Sequence, residues 1–328
     1  MNKLSAATTY LQTSFVNAAT DELIPRGYGT GFFTRKNGEL FLVTNWHIVS
    51  GIDPSKPEMI GELPPPHLLK ITAISKKNTL SEITCPLYDS EMNPIWLEHK
   101  MGGKVDIAVY PLPDSIQDHF HIFEIEKFAE SEIDEAVGKD AFILGYPFSH
   151  VELTEAFGQS TPYYLPVWKR ASIATEPSHR LADRVILLDS LSRPGMSGAP
   201  VLISEDKAVV KFPNREAYAA AKRLADGDLS ALAGFDTSSM KHGTERAFKL
   251  LGIYSGVIGD TKLAQTALGR CWHVDAIEET LTHQKNGEMP FHAPVSTPAY
   301  QKLLKQCSGQ LIMKDKNGDI TKKIELNK

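Results

Sequence analysis

The hydrophobic positions of this chain fall into many short runs separated by turn-forming residues, with few stripes of helical period. Short apolar runs bounded by Gly, Pro, Asn and Asp are what the strands of a barrel or sandwich require. Thr13 to Ala18, Gly29 to Thr34 and Glu39 to His47 read as the first three strands, with Asn37-Gly38 as the hairpin turn between the last two. Leu68 to Ile74, Thr84 to Tyr88, Val167 to Ala174 and Arg184 to Leu188 continue the series. Ile52 to Leu63 carries scattered prolines and runs into Pro64-Pro65-Pro66, which marks a long loop. Asp114 to Glu135 is polar and acidic around Phe120, Ile122 and Phe123, and predicts the linker between two barrels. Asn214 is an N-cap for a helix over Arg215 to Ala225, stopped by Gly227. Further helices are predicted from His273 to Leu281 and over Ala299 to Gln306. Leu311 to Lys314 and Ile320 to Leu326 flank Asn317-Gly318 as a terminal hairpin.

Three segments carry candidate chemistry. Gly195-Met196-Ser197-Gly198-Ala199-Pro200 sets a serine between glycines ahead of an apolar run. A serine hydroxyl becomes nucleophilic only when a base takes its proton and nearby donors stabilise the resulting oxyanion. Glycines allow the sharp turn that aims the amides of Gly195 and Ser197 at one point, an oxyanion hole. Val43-Thr44-Asn45-Trp46-His47 delivers a histidine suited to be the base, and Val105-Asp106-Ile107-Ala108-Val109 a carboxylate to orient it. Asp89 and Asp114 are weaker substitutes for Asp106. The chain order His47, Asp106, Ser197 is that of chymotrypsin-like enzymes, not of subtilisins or α/β-hydrolases.

With those residues in place, the chain resembles trypsin-like serine peptidases of the chymotrypsin superfamily, closest in style to the bacterial HtrA-type branch. Gly29-Thr30-Gly31-Phe32-Phe33, Leu42-Val43-Thr44-Asn45-Trp46-His47 and Asp106-Ile107-Ala108-Val109 are similar to its strand, base and acid motifs. Gly138 to Pro147 is similar to the segment opening the second barrel, and Gly252-Ile253-Tyr254-Ser255-Gly256 to the strand lining the specificity pocket. The resemblance spans residues 27 to 278. It implies an all-β-dominated fold of two antiparallel six-stranded barrels, with a helical insertion and a C-terminal helix. The barrels are expected at 1–122, carrying His47 and Asp106, and 123–280, carrying Ser197. An insertion is expected at about 204–248 and an extension at 281–328. That extension is too short for the PDZ module usual in HtrA-type proteins.

The implied activity is endopeptidase cleavage through an acyl-enzyme on Ser197. The substrate is a polypeptide, and control comes from narrow specificity or a regulatory protein partner acting through the insertion. A non-catalytic scaffold on the same fold is the competing reading. In the family, the residue six before the serine floors the P1 pocket. Here it is Leu191, which implies a small or medium apolar P1; Asp189 lies eight before. Ser255 and Gly256 would form the pocket wall.

Composition narrows the classes. A formal charge of −5 without a Lys/Arg-rich block argues against nucleic-acid binding. No eighteen-residue apolar stretch predicts a membrane span. Leu4 to Ala19 is too polar for a signal peptide. Three cysteines, Cys85, Cys271 and Cys307, cannot all pair, which together predicts a reducing, cytoplasmic setting. No cofactor or metal is expected. His119 and His121 lack partners at zinc spacing, and Asp315, Asn317 and Asp319 lack the glycine and glutamate of a calcium loop. Gly27 to Gly31 lacks the Lys-Ser/Thr ending of a phosphate loop.

Overall fold

A computed structural model describes the chain except residues 55–62, 114–115, 117, 130, 149–163, 183, 191–192, 235–239, 259–267, 290–295, 308–309, 315–319 and 326–328. The expectations for Leu191, Asp114 and the Asp315, Asn317 and Asp319 loop therefore lie outside the described residues.

Helix α1 (Lys3–Ala7) leads directly into β1 (Thr8–Val16), β2 (Leu23–Lys36) and β3 (Glu39–Thr44). The β2–β3 turn is Asn37-Gly38, with φ of 52 and 88 degrees. Two left-handed residues in succession keep the right-handed twist of the flanking strands, which is why Asn-Gly suits this position. Then come α2 (Trp46–Ser50), β4 (Leu68–Ile74), β5 (Leu80–Pro86), β6 (Leu97–Glu98), β7 (Ala108–Leu112) and α3 (Ile125–Ala129). The second half comprises β8 (Asp140–Gly145), β9 (Val167–Ile173), β10 (Val185–Asp189), β11 (Pro200–Lys211), α4 (Arg215–Ala225), β12 (Lys241–Ile258) and β13 (Leu268–His273). The chain ends with α5 (Val274–His283), β14 (Lys285–Asn286), α6 (Pro298–Cys307), β15 (Gln310–Lys314) and β16 (Ile320–Glu325).

The strands form two sheets, in keeping with a chymotrypsin-like, β-dominated fold. The second closes as a six-stranded barrel in the order β10, β13, β12, β11, β8, β9. The first runs β14, β6, β7, β3, β2, β1, β4, β5, β15, β16 and is antiparallel throughout. Its six middle strands, β7 to β5, curl towards one another: the Tyr110 hydroxyl on β7 donates to the Pro86 carbonyl on β5 at 2.7 Å. The sheet carries ten strands instead of the expected six because the short β6 joins its β7 edge and the chain beyond residue 281 returns to it with β14, β15 and β16. β14 pairs with β6, and β15 with β5 through Leu311 opposite Ile83. Strand edges expose unpaired amides and carbonyls, and these additions satisfy them.

The interior of the first sheet is built from Leu11, Phe33, Leu42, Leu69 and Ile71, together with Trp46 of α2. Each such full burial contributes roughly 1.5–3 kcal/mol. The polar-looking start of β1 is buried as well, including Thr8 and Thr9, because it lies against the barrel. Tyr10 meets Tyr146 edge-on at 5.6 Å, and the Tyr146 hydroxyl donates to Thr8 O at 3.3 Å. Pairing with β2 carries β1 back to Thr8, opposite Phe32, ahead of the expected Thr13. At the far side Tyr300 of α6 is fully buried, donates to Tyr88 O at 2.6 Å and sets its ring 5.2 Å from that of His67.

Contacts divide the chain into two compact units, Met1–Ile203 with Leu250–Lys328, and Ser204–Lys249. Within the second, Arg246 forks onto Asp206 at 2.8 and 2.9 Å. Helix α4 begins where the sequence predicts, with Asn214 Oδ1 accepting from the Ala217 amide at 2.8 Å. No residue of α4 is buried, so capping and the Arg223–Asp228 pair stabilise it more than packing does.

Candidate active site

His47 is not at the end of a strand. Strand β3 stops at Thr44, and His47 sits in the first turn of α2, whose last turn closes on Gly51 at φ 71 degrees. Asn45 breaks the strand: its side chain leaves the ladder and Nδ2 donates to Asp106 O at 2.7 Å. The Asn45 carbonyl then accepts from the Ile48 amide at 3.2 Å and starts the helix. Trp46 anchors the turn in the core, with its indole donating to the buried Glu98 carboxylate at 3.1 Å. Burial pushes the Glu98 carboxyl upward, while bonds from the Glu288 amide, Lys285 and Trp46 pull it back.

Asp106 lies two residues ahead of β7 and is fully buried. Its Oδ1 accepts from the His47 amide at 2.9 Å, and its Oδ2 lies 2.8 Å from His47 Nδ1. A carboxylate only accepts, so Nδ1 carries the proton and Nε2 is left as the acceptor. A third donor is the hydroxyl of Ser255, itself buried, which bonds to Oδ2. Expected as pocket wall, Ser255 lines the cleft but spends its hydroxyl on Asp106. Asp89 is elsewhere engaged, accepting from the Glu91 and Asn93 amides of its own turn.

The Ser197 loop is held by β2. The Thr30 amide donates to Ser197 O at 2.8 Å, and the Thr30 hydroxyl donates to Gly195 O at 2.8 Å while accepting from the Tyr146 amide at 3.1 Å. Gly195 and Gly198 have φ of 90 and 85 degrees. A Cβ on Gly195 would lie 2.1 Å from Tyr146 O, and one on Gly198 1.9 Å from Thr30 O. Glycine is required at both for conformation and for space. The amides of Met196, Gly198 and Ala199 are used by Arg193 O, Tyr254 O and Met196 O. Among the described residues those of Gly195 and Ser197 donate to nothing.

His47 and Ser197 line one cleft of about 440 Å³, together with Ser255, Gly256, Arg26 and Arg270. Of these, Arg26 is engaged by the Pro64 and Gly51 carbonyls, at 3.1 Å each, and burial lowers its guanidinium. Sequence reasoning singled out neither arginine, nor Asn45 or Thr30. The Thr30 role had a trace in Gly29-Thr30-Gly31, whereas Arg270 on β13 had none, since only pairing brings that strand beside Ser255. Among the described residues no group of three His, Cys, Asp or Glu is arranged to hold a metal ion. No helix among them is long and apolar enough to cross a membrane.

No curated protein matches the chain at a significant level. Residues 29–210, more than half of the chain and spanning His47, Asp106 and Ser197 in that order, match the family model of the trypsin-like peptidase domain, and the chain belongs to that family.

Proposed function

We propose that the protein is a serine endopeptidase that cleaves polypeptides through an acyl-enzyme on Ser197. The observation that carries this reading is the 2.8 Å bond from His47 Nδ1 to the buried Asp106 carboxylate, at the wall of the cleft that Ser197 also lines. With Nδ1 bonded, His47 Nε2 takes the Ser197 proton as the hydroxyl attacks the scissile carbonyl, and then delivers it to the leaving amine. The Asp106 carboxylate keeps the imidazole in that tautomer and stabilises its charged form. The amides of Gly195 and Ser197 receive the developing oxyanion, each donor of this kind typically contributing about 10²–10³-fold in rate. Water, activated by His47, then releases the acyl group. A buried free thiol at Cys271 favours work in a reducing compartment such as the cytoplasm. The unit Ser204–Lys249 is the candidate contact for a regulatory partner.

A fluorophosphonate probe tests the reading. It is expected to label wild-type protein and to leave Ser197→Ala unlabelled. Absence of label on the wild type, or undiminished label on the variant, rejects the enzyme and favours a scaffold.

A further inference from the structure

We propose that Arg270 selects substrates carrying a carboxylate side chain, Asp or Glu, at the residue whose carbonyl Ser197 attacks. This rests on the endopeptidase reading and replaces the apolar preference expected from Leu191. Arg270 lies beyond the segment that matches the family model.

Alternation along β13 aims the side chain at the cleft. Its neighbour Cys271 is fully buried, and a side chain on its other neighbour, Gly269, would meet Tyr254 and Leu188 in the barrel interior. Arg270 therefore points to the opposite face, where it lines the same cleft as His47 and Ser197. It stands across from a bulge: pairing of β12 with β13 shifts between Tyr254 and Val257, so Ser255 and Gly256 bow out beside it. Its Nε donates to Ser255 O at 3.2 Å. The Ser255 hydroxyl holds Asp106, which holds His47. The guanidinium is thus fixed to the same short segment that steadies the candidate base.

That bond uses one of five donors. Among the described residues the terminal nitrogens of Arg270 have no partner. Asp189 follows by two residues the position opposite Arg270 on β10 and makes no ion pair with it. The other charges lining the cleft are Arg26, held by carbonyls, and Asp53, which follows α2 on the His47 side and has interactions of its own. An arginine with a free planar fork binds a carboxylate in two parallel bonds and repels a lysine or arginine side chain. Hydrogen bonds to charged groups shift selectivity by about 10- to 100-fold.

Two arms separate this inference from the reading it rests on. Fluorophosphonate labelling reports the reactivity of Ser197 without a peptide. Selection is read on the full-length Ser197→Ala protein by fluorescence anisotropy, with one peptide scaffold carrying Glu, Gln, Asp, Asn, Leu or Lys at the variable position. The Glu and Asp peptides should bind about tenfold or more tightly than Gln and Asn, and adding Arg270→Gln should bring the ratios to near one. Glu and Gln binding alike, or a ratio that survives Arg270→Gln in protein with an unchanged unfolding midpoint, overturns the proposal even if Ser197 labels. Should Arg270→Gln not fold, the Glu-to-Gln ratio of the otherwise unaltered protein still decides, and its decline with added salt identifies the charge.

Discussion

The two walls of the cleft differ in how much hydrogen-bonding capacity they use. On one wall Asp106 accepts from the His47 amide, the His47 ring and the Ser255 hydroxyl, and its carbonyl accepts from Asn45. On the other, Arg270 makes a single bond, to Ser255 O, and the Gly195 and Ser197 amides make none among the described residues. On the first wall both Asp106 carboxylate oxygens and its carbonyl have partners in the protein. The second holds donors in place with nothing yet to receive them, as a site must if it binds a transition state more tightly than it binds itself. The shared member is Ser255, whose hydroxyl serves one wall and whose carbonyl serves the other.

The comparison breaks most completely at Asp106. Asp106→Asn leaves the shape but offers His47 Nδ1 a donor in place of an acceptor, and kcat is expected to fall by about 10⁴-fold. Steady-state cleavage of a fluorogenic peptide measures this, alongside an unfolding curve that should move little. A loss under tenfold would mean that His47 is not oriented by Asp106.

Acid acts on the fold and must be told apart from its action on the cleft. His67 accepts from the Val16 amide through Nδ1 at 2.9 Å, its buried Nε2 has no partner among the described residues, and burial lowers its pKa from 6.5 to about 4. As pH falls, the unfolded chain takes up the proton first. The stability from neutral His67 is therefore present above pH 6.5 and lost between 6.5 and 4, by up to about 3 kcal/mol. His67→Asn keeps an acceptor for Val16 and should flatten the pH dependence of the unfolding midpoint over that window. An equally steep profile would place the acid lability elsewhere.

Ser255→Ala is expected to have the smallest effect, about tenfold in kcat, since it removes one donor to a charged group and leaves two. Its profile should differ from that of Arg270→Gln. Loss of the hydroxyl lowers kcat for all peptides alike, whereas Arg270→Gln changes the ranking among them. Equal profiles would erase the distinction between the two walls.

Features set by neighbours in the chain were legible from sequence. The Asn37-Gly38 turn, β4 at Leu68–Ile74 and the Asn214 cap stand where local chemistry puts them. So does the pairing of His47 with Asp106, 59 residues apart, because the residue types carry their chemistry with them. The sequence predicts His47 in a strand, since Leu-Val-Thr continues the alternation and nothing local shows that Asn45 turns aside to reach Asp106. The terminal hairpin of β15 and β16 was legible, but β6, β14 and the joining of that hairpin to the first sheet were not. A two-residue strand such as β6 has no period, and a terminal hairpin does not name the edge it joins.

The sequence by itself determined the order of the candidate base, acid and nucleophile and the glycines that bend the Ser197 loop, because these depend on side-chain chemistry and on φ at single positions. Only the tertiary structure decided that Ser255 would spend its hydroxyl on Asp106 and its carbonyl on Arg270. It likewise decided that Thr30 would brace Gly195 across 165 positions of chain. Such bonds follow from strand register and sheet curvature, to which many distant residues each contribute a little and none gives a local sign.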